Sequence, residues 1–146
     1  MAFKQGLTTA AFKLGQKPAG RRGATYKGFF ESGLLVDSDV RIYGPDGKAL
    51  TKADAQMVCI YANPTGRRGG SSQVVKRFPI FYAWQGTLDL TILDDILQRD
   101  VVDQHVRAMG MIGGVGRFRP EKGGVNGRFA VVKFEWERLD LSQAAE

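Results

Sequence analysis

The residues best suited to chemistry crowd one glycine-rich segment near the C-terminus. Residues 111–129 read Met111-Ile112-Gly113-Gly114-Val115-Gly116-Arg117-Phe118-Arg119-Pro120-Glu121-Lys122-Gly123-Gly124-Val125-Asn126-Gly127-Arg128-Phe129. Glycines such as Gly113, Gly114 and Gly116 let a backbone come close to a phosphate with its N–H groups outward. Arg117, Arg119, Lys122 and Arg128 would supply countercharge, and Phe118 and Phe129 would offer stacking faces. Cations interleaved with aromatics suit single-stranded nucleic acid. The order is wrong for a P-loop, which needs Gly-Lys-Ser/Thr opening a helix, and wrong for a dinucleotide fingerprint, which follows a first strand. The competing reading is a flexible connection under a sheet, with Phe118 and Phe129 as core.

Two arginine pairs, Arg21-Arg22 and Arg67-Arg68, are each bracketed as Gly-Arg-Arg-Gly. Flexible pairs without neighbouring acids fit phosphate contact without base reading; solvated surface loops are the alternative. Lys27, Lys76 and Arg77 join them as candidate contacts. The chain has 21 Lys and Arg against 15 acids, a net charge of +6. Residues 1–30 hold six cations and no acid, so residues 31–146 balance at 15 against 15. A basic arm ahead of a balanced domain is an electrostatic footprint for a polyanion, or else a tail kept soluble by its charge.

The residues that could catalyse lack partners. His105 is the sole histidine and reads as a satisfied, partly buried helix residue. Asp89, Asp94, Asp95, Asp100 and Asp103 read as turn and capping residues more readily than as metal ligands. Cys59 lies in an apolar stretch as core. No catalytic residue, metal or cofactor is therefore expected, and the chain is expected not to be an enzyme.

The elements that must position these residues follow from pattern. The arm, with glycine or proline at 15, 18, 20 and 23, is expected to be extended and poorly ordered apart from a turn of helix at 10–14. Residues 34–43 are β-competent and close on the turn Gly44-Pro45-Asp46-Gly47. Thr51 with Asp54 approximates a capping box for a short helix at 51–56. Residues 58–62 and 74–84 are expected to pair as a long hairpin with a basic tip, Pro79 marking an edge or bulge. Residues 87–93 alternate strictly, with Leu88, Leu90 and Ile92 inward. A helix is expected over 100–109, capped by Asp100 and closed by Gly110, with Val102, Val106 and Met109 on one face. Residues 128–136 would form the last strand. The fold class is α+β: a basic arm (1–30), one antiparallel sheet with few helices (31–138) and a tail (139–146).

The sequence of helix, glycine-rich loop with Gly-x-Gly-Arg and Gly-Arg-Phe elements, and closing strand resembles the RAMP superfamily of CRISPR-associated RNA-binding proteins. That resemblance implies a ferredoxin-like βαββαβ unit with the glycine loop between second helix and fourth strand, and a nucleic-acid-binding surface. The segment 112–120 is also similar to stretches in bacteriophage proteins.

Composition limits the rest. A length of 146 residues with 43% hydrophobic side chains suits one ordinary domain. One cysteine forms no internal disulfide, and the apolar runs are too short to cross a bilayer, so a bacterial or phage-infected cytoplasm is expected. The leading expectation is a non-catalytic protein that binds single-stranded DNA or RNA and forms a homo-oligomer or filament. The second is a phage structural or assembly protein whose arm and hairpin reach neighbouring subunits.

Overall fold

The computed structural model describes residues 2–37, 40–64 and 73–138. The chain divides into two units, residues 1–37 with 89–146, and residues 38–88.

The first unit begins with a helix. Phe3, Leu7, Ala10 and Leu14 recur at i, i+4, i+7 and i+11, which places them on one helical face. Helix α1 spans Ala2–Leu14, and Leu7, Ala10 and Ala11 are fully buried. The expected extended arm is thereby corrected. Burial of this stripe decides the conformation, since a fully buried leucine alone contributes about 1.5–3 kcal/mol. The cations do not oppose it, because Lys13 and Lys17 stay exposed. Gly15, at φ +62°, ends the helix and donates its N–H to the Ala11 carbonyl at 3.1 Å.

α1 packs against helix α2 (Tyr26–Ser32), helix α3 (Arg99–Ala108) and strand β1 (Leu34–Val36). The core they enclose is Leu7, Ala10, Ala11, Phe30, Leu34, Leu97, Val102, Val106 and Met109. Val102, Val106 and Met109 form the inward stripe of α3, as their spacing requires. Helix α3 starts at Arg99, with Gln98 in the capping position, so Asp100 stands in the first turn and does not cap. There its charge still suits the helix dipole.

The second unit carries the hairpin. Strands β2 (Ile42–Tyr43), β3 (Gln56–Ala62), β4 (Val74–Ile80) and β5 (Gln85–Gly86) give antiparallel pairs β2–β5 and β3–β4. The β3–β4 register runs from Gln56 opposite Ile80 to Ala62 opposite Val74. Thr51 and Asp54 form the anticipated capping box, here on a single 3-10 turn, Lys52–Asp54. The Thr51 hydroxyl and N–H hold the Asp54 carboxyl below the usual carboxylate range.

In the first unit β1 pairs antiparallel with β6 (Leu90–Ile92), Leu34 facing Ile92. Among the described residues the strands thus make three two-stranded ladders within an α+β chain, in place of one sheet. The expected strand at 128–136 is also corrected. Two of its backbone groups have other partners: the Phe129 N–H donates to the Gly110 carbonyl at 3.2 Å, and Arg107 Nη1 donates to the Val131 carbonyl at 3.1 Å. Phe129, Val131 and Phe134 still pack on the core.

Candidate functional site

The glycine segment leaves α3 through a wider turn. Met109–Gly113 is a π-helical turn, closed by the Gly114 N–H donating to the Met109 carbonyl at 2.6 Å, with Gly114 at φ +66°. Gly110 therefore does not cap the helix. It allows residue 129 to pass close by, since a Cβ there would collide with the Phe129 carbonyl.

From Val115 onward the loop is held by its own backbone. The Val115 N–H donates to the Gly127 carbonyl at 2.9 Å, and the Asn126 N–H to the Phe118 carbonyl at 3.0 Å. A Cβ at Gly124 would collide with the Phe118 carbonyl and one at Gly127 with the Val115 carbonyl, so these glycines are required for closure. A 3-10 turn, Pro120–Lys122, forms the tip.

This closure sorts the expected site residues. Gly113 and Gly114 are buried; Gly113 lies beside Gly6 of α1, and the Gly114 N–H is already bonded. Their assignment as phosphate donors is corrected to packing and turn formation. Gly116, at φ +79°, is exposed with open space around its Cα.

Arg119 is likewise structural. Its Nε donates to Glu121 Oε2 at 2.7 Å and its Nη1 to the Gly116 carbonyl at 3.1 Å, with both side chains mostly buried. Burial pushes the Glu121 carboxyl up, but the hydrogen bond and charge of Arg119, with Lys122 at 3.4 Å, outweigh it and hold the group low. Glu121 is the residue that motif reading missed; its position two residues after Arg119 was the available signal.

Phe118 behaves differently. It is the single non-glycine residue at positive φ (+54°) among the described residues, and 44% of it is exposed. The core reading is corrected for Phe118 and holds in part for Phe129, which packs against Phe3 at 6.1 Å between ring centroids. Arg117, Lys122 and Arg128 are exposed around the same loop, Arg128 donating Nε–H to the Met111 carbonyl at 3.2 Å. Met111, Ile112 and Val125 are exposed there as well.

The N-terminal cations decorate the α1–α2 connection. The Arg21 guanidinium lies 5.4 Å from the Phe29 ring centre, and Arg22 is exposed. Lys27 sits near Glu31 at 3.7 Å and near the Phe12 ring, which neutralises it locally. Arg67 and Arg68 lie outside the described residues. Lys76 Nζ donates to the Asn63 and Pro64 carbonyls at 3.0 and 3.2 Å, tying the loop end of the hairpin. It is a strap there, whereas Arg77 points to the other, exposed face.

His105 is fully buried against Tyr26 and Phe30. Its Nδ1 contacts the Val101 carbonyl at 2.7 Å, while Nε2 has no partner among the described residues, so it is half satisfied. Burial lowers its pKa and the Val101 contact opposes that. Asp94 Oδ1 accepts the Ile96 N–H at 3.0 Å as a turn residue, and Asp103 pairs with Arg107 at 2.9 Å. Cys59 is exposed on β3, against the core placement expected of it. No helix is long and apolar enough to cross a membrane among the described residues. No family model, curated protein or solved structure matches the chain.

Proposed function

We propose that the chain is a non-catalytic single-stranded nucleic-acid-binding protein that contacts its ligand through the loop at 115–128. The observation that carries this reading is Phe118. An aromatic side chain 44% exposed at a left-handed backbone position, on a loop closed by its own hydrogen bonds, offers a stacking platform. Arg117, Lys122 and Arg128 beside it supply phosphate countercharge. Arg21 and Arg22 add a second basic patch on the α1–α2 connection.

The likeness to RAMP proteins belongs to the same proposal. It rests on the succession β6, α3 and glycine loop; a ferredoxin-like unit further requires a fourth strand, and residues 128–136 form none.

Fluorescence anisotropy with single-stranded and duplex DNA and RNA across a salt series tests the proposal. Single strands should bind with an affinity that falls as salt rises. Equal affinity for duplex, or no binding at low salt, would refute it.

A second reading, an assembly protein with inter-subunit contacts, draws on the second unit, where none of the described hydrophobic side chains is buried. The arm no longer supports it, since α1 lies in the core of its own chain. Purified assemblies free of nucleic acid and not retained on heparin would favour this reading.

A further inference from the structure

The β3–β4 ribbon presents two unlike faces. Residue alternation puts Val58, Ile60, Phe78 and Ile80 on one face, where they are half-buried. Met57, Cys59, Tyr61, Val75, Arg77 and Pro79 occupy the other, and all are exposed. Tyr61 is 73% exposed, so its ring is open to a planar partner. It faces Val75 across the ladder, and Arg77 faces Cys59, so Tyr61 and Arg77 are diagonal neighbours, about 7–8 Å apart in such a pairing.

The sequence that runs through this ribbon carries charge of one sign. Residues 55–88 contain Arg67, Arg68, Lys76 and Arg77 and no Asp or Glu. The balance of the chain beyond residue 30 therefore conceals a cationic stretch of +4 that coincides with the ribbon and its flanks. Lys76 is spent on the hairpin's own carbonyls, which leaves Arg77 as the cation of the outer face. A ribbon face with an exposed ring, a guanidinium diagonal to it and no carboxylate among its residues is complementary to a polyanion that carries planar bases. A second copy of this ribbon would set Arg77 against its own like charge if the faces met at their centres.

We infer that the outer face of the β3–β4 ribbon is a stacking surface for single-stranded nucleic acid, with a base on Tyr61 and the adjoining phosphate at Arg77. This rests on the nucleic-acid-binding reading above and adds a site separate from the 115–128 loop.

Cys59, the chain's sole cysteine, stands opposite Arg77 on this face and reports on its occupancy. The experiment measures the alkylation rate of Cys59 by iodoacetamide in the full chain, with and without saturating oligothymidylate or oligouridylate of about 20 nucleotides. The inference expects the single strand to slow alkylation several-fold, and a duplex to leave it unchanged. Tyr61→Ala should weaken single-strand binding by about 5- to 150-fold, the range for loss of one stacked base. Tyr61→Phe should retain binding within about two-fold, since the ring and not the hydroxyl stacks.

Wild-type binding with unprotected Cys59 and an unaffected Tyr61→Ala variant would overturn the ribbon site while leaving the loop reading intact. Absence of any oligonucleotide binding would overturn both. Cys59 protection that depends on protein concentration alone would overturn the inference in favour of contact between copies of the chain.

Discussion

The two units of the chain distribute their apolar residues in opposite ways. Residues 1–37 with 89–138 enclose nine buried hydrophobic side chains, from Leu7 to Met109. In residues 38–88, Ile60, Phe78 and Ile80 reach only half-burial, and Tyr61, Val75 and Tyr82 are exposed. The difference teaches where stability and recognition reside. Buried side chains hold the first unit together, whereas a two-stranded ribbon of the second kind is marginal in water by itself. Apolar and aromatic side chains that do not serve a core are available for contact.

The strongest break of this comparison is removal of residues 1–14. Although these residues carry no acid, they supply Leu7, Ala10 and Ala11 to the core, so the truncated chain should lose its cooperative thermal transition by circular dichroism. A chain that still melted cooperatively would return the segment to the role of an appended arm. Point substitutions grade the same contrast. Leu7→Ala should cost about 2.5–5 kcal/mol in denaturant unfolding, because a fully buried leucine leaves a cavity. Ile60→Ala, half-buried on the ribbon, should cost well under half as much.

Phe118 sharpens the comparison inside the stable unit. It belongs to the unit with the core yet is 44% exposed, so Phe118→Ala should leave the melting temperature nearly unchanged. Its loss should weaken single-strand binding by about 1–3 kcal/mol if a base stacks on it. A large stability loss with affinity intact would place the ring in the packing after all.

What the sequence disclosed and what it hid follow from the range of the interactions involved. The β3–β4 hairpin and the α3 stripe Val102, Val106, Met109 are local patterns, and both formed as expected. The Thr51–Asp54 capping box is equally local. Helix α1 has its i, i+4, i+7 signal in Phe3, Leu7 and Ala10, but the breakers Gly15, Pro18, Gly20 and Gly23 that follow, in a cationic segment without acids, point to an extended arm. The pairing of β1 with β6 joins residues more than fifty apart and has no local signature. In the glycine loop, which residues were cations and aromatics was plain from the sequence. That Arg119 is bound to Glu121 while Phe118 stays part-exposed depends on a closure made by the Val115 N–H to the Gly127 carbonyl and the Asn126 N–H to the Phe118 carbonyl.

His105 gives the core a histidine's pH dependence, whereas in the second unit the shifted group among the described residues is the Asp54 carboxylate. The unfolded chain takes up a proton near the ordinary histidine value of about 6.5, and the folded chain only at lower pH. Between those values the unfolded state binds more protons. This part of the stability is therefore complete above pH 6.5 or so, declines as pH falls toward the lowered folded value, and levels off beneath it. Denaturation midpoints across about pH 5 to 8 should show that slope, and His105→Phe should remove it. An unchanged slope in the variant would assign it to other groups.

The smallest effects should separate two arginines that stand two residues apart. Arg117 is exposed, while Arg119 donates to Glu121 and to the Gly116 carbonyl, bonds that shape the loop carrying Phe118. Arg117→Ala should cost less stability than Arg119→Ala and reduce the slope of log affinity against log salt by about one phosphate contact at most. Arg119→Ala should lower stability by about 1–2 kcal/mol, because it takes from the mostly buried Glu121 carboxylate its closer partner and leaves only Lys122 at 3.4 Å, and should weaken binding only through the disturbed loop. Adding Glu121→Gln to Arg119→Ala removes that charge and should recover part of that stability. If Arg117→Ala were instead the destabilising change and Arg119→Ala the one that altered the salt slope, the loop would not be divided into a binding and a bracing arginine, and Phe118 would lose the support assigned to it here.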